Sequence, residues 1–117
     1  MMNLWIDVDR YENTLIARLK GELDSNTAVF LRRELEQQLS DWNIQHLVLN
    51  FQDLTFMDST GLGVILGRYK QVKQRDGELV ICATSTTIDK MLRLSGMYKI
   101  IPIKTSEEEA LQVVGVM

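Results

Sequence analysis

The sequence predicts an α/β domain: a mixed β-sheet, mostly parallel with one antiparallel N-terminal strand, packed against helices in the order ββαβαβαβα. Three observations carry this. Two segments of period two, Leu4–Ile6–Val8 and Leu15–Ala17–Leu19, stand close together at the N-terminus, each the pattern of a half-buried strand. Beyond them, apolar runs of strand length alternate with segments of helical period, as parallel strands joined by right-handed crossovers require. The 117 residues suit a single domain, 1–117, with no repeat or linker.

In chain order, the first strand carries Leu4, Ile6 and Val8, and "DRYEN" turns the chain. The second carries Leu15, Ala17, Leu19 and Leu23, and the connector is too short for a crossover helix, so the pair is antiparallel. Ala28, Leu31, Leu35, Leu39 and Trp42 then fall at helical spacing, with Asp24 and Ser25 as cap candidates. "HLVLNF" reads as a strand covered on both faces, followed by a polar loop. The next helix carries Leu62, Ile65, Leu66, Tyr69 and Val72 and ends at Asp76-Gly77. "ELVICA" is another buried strand. Thr86, with Asp89 three residues on, caps a short helix that Gly96 stops. "KIIPI" is a last strand, placed at an edge by Pro102. Thr105 with Glu108 opens a C-terminal helix.

Composition narrows the function. Net charge is −3 and no segment carries a basic stripe, so binding to a nucleic-acid backbone has no electrostatic support. The single cysteine, Cys82, forms no intramolecular disulfide, which fits a reducing compartment. Asp7 and Asp9 interrupt the N-terminal apolar run, there is no basic leader, and no stretch approaches a membrane span. A cytoplasmic location is expected.

The stretch "MDSTGLGVILG", Met57 to Gly67, holds the chemistry. It opens a helix yet contains three glycines, each unfavourable by roughly 1 kcal/mol against alanine in a helix interior. Gly63 and Gly67 share one face and Gly61 lies at the mouth, so another backbone or a ligand can come close. Packing on the helix's own sheet explains one such glycine more readily than three. Ser59 takes the cap position, with Asp58 as the competing cap. A helix mouth favours anions, so Ser59 can carry a phosphate without disturbing the fold. A partner docked over the glycines would lose its contact. Thr60 is the competing acceptor.

Other chemistries fit less well. "GLGVILG" departs from the dinucleotide fingerprint in its spacing, Asp58 would repel a pyrophosphate, and no Walker A lysine follows. Catalysis by Ser59 lacks a base, because His46, the only histidine, lies at the far end of the preceding strand. A receiver-type phospho-acceptor at Asp58, with Thr84 and Lys104, lacks the acidic pair after the first strand. Cys82 reads as inert core, and no cluster has metal-ligand spacing, so no cofactor is expected.

"KGELDSNTA", "VLNFQDLTFMDSTGLGVILGRYKQ" and "SGMYKIIPI" together resemble the STAS family of anti-sigma factor antagonists, over nearly the whole chain. The longer run resembles the sporulation subgroup that antagonises the anti-sigma-F factor. The resemblance implies a STAS-type sheet and a switch between partners. The unphosphorylated antagonist binds the anti-sigma-F factor, itself a serine kinase, and so frees sigma-F. Phosphorylation releases it, and a PP2C-type serine phosphatase restores it. By motif the phosphorylated residue is Ser59, with Asp24 and Asp58 around it; Thr60 stands where the pattern often has a second serine. The resemblance implies no catalytic activity in this chain. The partner-binding surface expected from both lines comprises Asp24, Ser25, Asn26 and Thr27, then Asp58, Thr60 and Gly61, with Leu62 and Gly63 beside them. The alternative is a small-ligand or nucleotide-binding module using the same helix N-terminus.

Overall fold

The computed structural model describes residues 3–116. Its elements are β1 (Leu4–Tyr11), β2 (Thr14–Leu23), α1 (Ala28–Gln38), β3 (His46–Met57), α2 (Ser59–Lys73), β4 (Leu79–Cys82), α3 (Thr86–Leu94), a 3₁₀ turn (Met97–Lys99), β5 (Ile103–Lys104) and α4 (Glu107–Val113). The five strands form one sheet in the order β1-β2-β3-β4-β5. β1 is antiparallel to β2 and every other pair is parallel, as the sequence predicts.

Strand order equals chain order, so each right-handed crossover steps the same way and drops its helix on the same face. Accordingly α1, α2 and α3 share one core with Leu15, Leu47, Leu49, Phe51, Leu79 and Ile81. The alternate residues Ile16, Val48, Val80 and Cys82 face the other way and pack under Ala110 and Leu111 of α4 and Val114 just after it. Arg18 clamps α4 down through a two-pronged pair with Glu107, both N···O distances 2.9 Å, and Asn50 donates to the same carboxylate. No helix among the described residues is long and apolar enough to cross a membrane.

Several local expectations change. β3 does not end at Phe51; it runs to Met57 through the segment expected to be a polar loop. Two register shifts against β2 absorb the irregularity and leave Leu23 opposite Met57. Trp42 lies beyond α1 and is exposed, stacked 4.1 Å from the Arg75 guanidinium. α1 starts after Thr27 rather than at Asp24 or Ser25. The hydroxyl of Ser85, not Thr86, caps α3, and Ser106 with Glu109, not Thr105 with Glu108, frames α4. The last two are one-residue slips between neighbouring hydroxyls, which periodicity does not resolve. β5 is only two residues long and sits at the sheet edge beside Pro102.

Candidate functional site

Because β2 and β3 run parallel, the turns that follow them emerge side by side. Asp58 N–H donates to the Leu23 carbonyl at 3.1 Å, which ties the two turns together at their first residues. In the first turn, Asp24 Oδ1 accepts from the backbone N–H groups of Asn26 and Thr27 at 2.9 and 3.0 Å. The Thr27 hydroxyl donates to the Glu22 carbonyl and accepts from Asp24 N–H. Thr27 is therefore buried and spent inside the protein, a correction to its expected place on a contact surface: it shapes the turn that presents Ser25 and Asn26, both exposed.

At the mouth of α2 the cap is Asp58, not Ser59. Asp58 is extended, and its Oδ1 accepts from Thr60 N–H at 3.0 Å. The Thr60 hydroxyl also donates to that oxygen. This hydroxyl bond, helped by the backbone N–H groups of Thr60, Gly61 and Ser25, holds the Asp58 carboxyl below its ordinary range. Ser59 is the first residue of the helix and is exposed. Among the described residues its hydroxyl has no hydrogen-bond partner, whereas that of Thr60 is engaged by Asp58. The geometry thus separates two hydroxyls that the sequence left in competition.

The three glycines divide by role. A methyl on Gly61 would lie 2.7 Å from Met57 Cγ and 2.9 Å from Leu23 Cδ2. Gly61 is buried where α2 crosses the ends of β2 and β3, so it serves the sheet and offers nothing to a partner directly. Gly63 and Gly67 have nothing within 4 Å of such a methyl. They leave bare backbone on the outer face of the helix.

Two grooves flank this mouth. One lies between α2 and α3, where Ser59 and Leu62 face Lys90, Met91 and Leu94. Leu62 is half-buried, leaning on the core while it lines the groove, and Leu94 is 79% exposed. The other lies between α1 and α2, where Ser25, Val29 and Arg32 face Thr60, Gly63 and Arg68. Met91, Leu94, Arg32 and Arg68 were not among the residues expected from sequence. Leu94 carried a signal, a large apolar side chain in the last turn of a short helix. Arg68 carried none, since a charge at that spacing reads as the solvent side of a helix.

The remaining candidates resolve as ordinary structure. His46 begins β3, on the order of 30 Å of strand away from Ser59. It is buried, and its Nδ1 accepts from Glu78 N–H at 3.0 Å, so it is no base for Ser59. Burial pushes the Cys82 thiol up to about 12, which keeps it protonated and unreactive. Thr84 and Lys104 line a cleft at the ends of β4 and β5 whose walls do not include Asp58, so no receiver-type centre is assembled. No group of three or more metal-ligating side chains is found among the described residues.

Comparison with known proteins places this geometry. The model of the STAS domain matches residues 6–110. An anti-sigma F factor antagonist of Paenibacillus polymyxa is 42% identical over 110 residues, covering 94% of each chain. An anti-sigma-B factor antagonist of Bacillus subtilis is 33% identical over 114 residues, covering 95% of this chain and all of that one. The solved structure of the anti-sigma factor antagonist SpoIIAA in its unphosphorylated form is similar with a TM-score of 0.75 at 26% identity, covering 97% of this chain and all of that one. The phosphorylated form of SpoIIAA, a Bacillus cell fate determinant, gives a TM-score of 0.75 at 28% identity, covering 94% and 99%.

Proposed function

The chain belongs to the STAS domain family, and from that premise we propose that it is an anti-sigma factor antagonist switched by phosphorylation of Ser59. In this reading the unphosphorylated chain binds the anti-sigma-F factor and frees sigma-F. The observation that carries it is the state of one hydroxyl: Ser59 Oγ is exposed and unpartnered at the start of a capped helix, between two grooves fit for docking.

The anti-sigma factor acts as the kinase. The Oγ–P bond forms as the bond from the γ-phosphoryl group to ADP breaks. The serine proton passes to a base of the kinase; His46 of this chain lies at the far end of β3. The ester adds about −1.5 to −2 charges and three acceptor oxygens. The N-terminus of α2 accommodates them, since its dipole and N–H groups favour an anion. A docked partner does not: the bulk arrives at the point of nearest approach, beside the ionised Asp58. Folding is untouched and docking is lost. A PP2C-type phosphatase hydrolyses the ester and restores the first state. The chain itself supplies surface and acceptor, and no catalysis.

Incubation with the anti-sigma factor and ATP, followed by mapping of the phosphate by mass spectrometry, tests the assignment. Modification is expected on Ser59. Ser59→Ala is expected to bind the anti-sigma factor normally and to resist inactivation by ATP; phosphate on any other residue overturns the assignment.

A further inference from the structure

The groove between α1 and α2 contains a charge that the fold does not neutralise. Arg68 is nine-tenths buried, although it lies on a helix that could have placed an apolar side chain there. Its Nε and Nη1 are sealed from solvent and have no hydrogen-bond partner. Its nearest carboxylate is Glu36, 3.7 Å from Nη2, and Arg32 approaches the same carboxylate at 3.7 Å. Two guanidinium groups thus share one half-exposed acid at long range, an excess of one positive charge. No acidic side chain lines the groove, whose volume is about 330 Å³. Burial disfavours the charged Arg68 most, Glu36 opposes it and Arg32 adds to it, so the net arrangement is unfavourable in the isolated chain. Buried guanidinium groups are ordinarily paired.

We propose that this groove receives a carboxylate side chain from the protein partner, bound by Arg68 beneath and Arg32 at the rim. The walls favour a carboxylate on a protein over a free phosphate. Ala28, Val29 and Val64 offer apolar contact to the residues around an acid. Thr60 N–H, the α2 N-terminal donor among the residues that line this groove, is already taken by Asp58. Gly63 leaves the rim bare, so a partner's backbone can come close enough for a short acidic side chain to reach in. Thr60 lines the same groove, one residue from Ser59. Ser59 itself lines the neighbouring groove between α2 and α3, about 13 Å of helix rise from Arg68, so the phosphate and the acid act at different points of one docking surface.

This inference rests on the proposed function and is tested beside it. Affinity for the purified anti-sigma factor is measured by calorimetry with ADP in place of ATP, so that no phosphate is transferred. Arg68→Met is expected to melt no lower than the parent chain, because it removes a buried charge whose one acid partner, Glu36, is shared with Arg32 and held at long range, and to bind about 30-fold or more weaker. Arg32→Gln, at the rim, is expected to lose only a few-fold. Asp→Asn and Glu→Gln substitutions across the docking surface of the partner then complete double-mutant cycles, in which one acid is expected to couple to Arg68. Should the methionine variant unfold, Arg68→Lys keeps the charge without the planar fork and is expected to lose about tenfold.

If the parent chain binds and Arg68→Met binds equally well, the inference is overturned and the functional reading stands. If the parent chain does not bind, both fall. Weakened binding without coupling to any acid reduces Arg68 to a packing residue and overturns the inference. Saturable binding of ATP or inorganic phosphate to the isolated chain, lost in Arg68→Met, overturns the carboxylate in favour of a phosphate.

Discussion

At the C-terminal end of α2, Gly77 N–H donates to the Val72 carbonyl at 2.8 Å, Arg75 Nη1 bridges the carbonyls of Leu39 and Ile44, and Gln45 reaches the carbonyls of Arg75 and Asp76. At the N-terminal end of the same helix, Ser59 Oγ is unpartnered among the described residues and Gly63 is open; buried polar atoms without partners lie further along, at Arg68, Gln71 and Arg75. The first end ties α2 to the start of β3 and to the end of α1 through internal bonds. The second is tied only as far as Asp58, Gly61 and Leu23 reach, and beyond that the Ser59 hydroxyl and the backbone at Gly63 face outward. Polar groups without partners are unfavourable in a folded protein. Ser59 Oγ escapes that cost because it is exposed, and beside the bare backbone at Gly63 it leaves this end open to an external partner.

Glycine substitutions offer the strongest way to break this contrast. A methyl on Gly77 would fall 1.9 Å from the Gln45 carbonyl oxygen, a backbone atom with no freedom to yield. Gly77→Ala is expected to destabilise the fold by about 3 kcal/mol or more, read by urea unfolding. Gly61→Ala meets the flexible Met57 side chain and Leu23, and is expected to lose roughly 1–3 kcal/mol. Gly63→Ala meets nothing. It is expected to gain up to about 1 kcal/mol from helix propensity and yet to weaken binding of the anti-sigma factor. A chain made more stable and less able to bind would separate the two ends cleanly. Equal losses of stability at Gly63 and Gly77 would erase the distinction.

The same division explains what the sequence could and could not reveal. The sheet was legible because alternation in β1 and β2 and the apolar runs in β3 and β4 are one-dimensional signals of burial. The end of β3 was not, because "QDLTFM" remains a strand only through its pairing with β2 across two register shifts. Ser59 and Asp58 were visible as a helix entry, but which of two adjacent residues caps it depends on one backbone conformation, and Asp58 holds the extended one. The glycines announced a close approach without saying whose. Gly61 answers to Leu23 and Met57, which are distant in sequence from each other. Arg68 was invisible for the same reason, since its isolation arises from α1 packing across it.

The smallest effect sharpens the comparison through pH. His46, at the internally bonded end, is held below its ordinary imidazole range, first by burial and then by Lys73, with Glu78 opposing. Its Nδ1 accepts the Glu78 N–H, and a doubly protonated ring has no lone pair there to do so. Its folded pKa is depressed, so the unfolded chain binds the proton more readily. The contribution of His46 is complete above the ordinary imidazole value near 6.5 and is lost as pH falls through that value towards the folded one. Asp58, at the open end, is also depressed, but from a carboxylate value of 3.8, so its contribution stays intact until the pH is far lower. Between about pH 8 and pH 5, therefore, the bonded end weakens and the open end does not. The melting temperature is expected to fall slightly across that range as the pH is lowered. His46→Gln is expected to flatten the dependence, whereas Asp58→Asn is expected to leave its slope unchanged. A slope that survives the glutamine substitution would mean that another group titrates there, and that the two ends are not as separate in their electrostatics as they are in their packing.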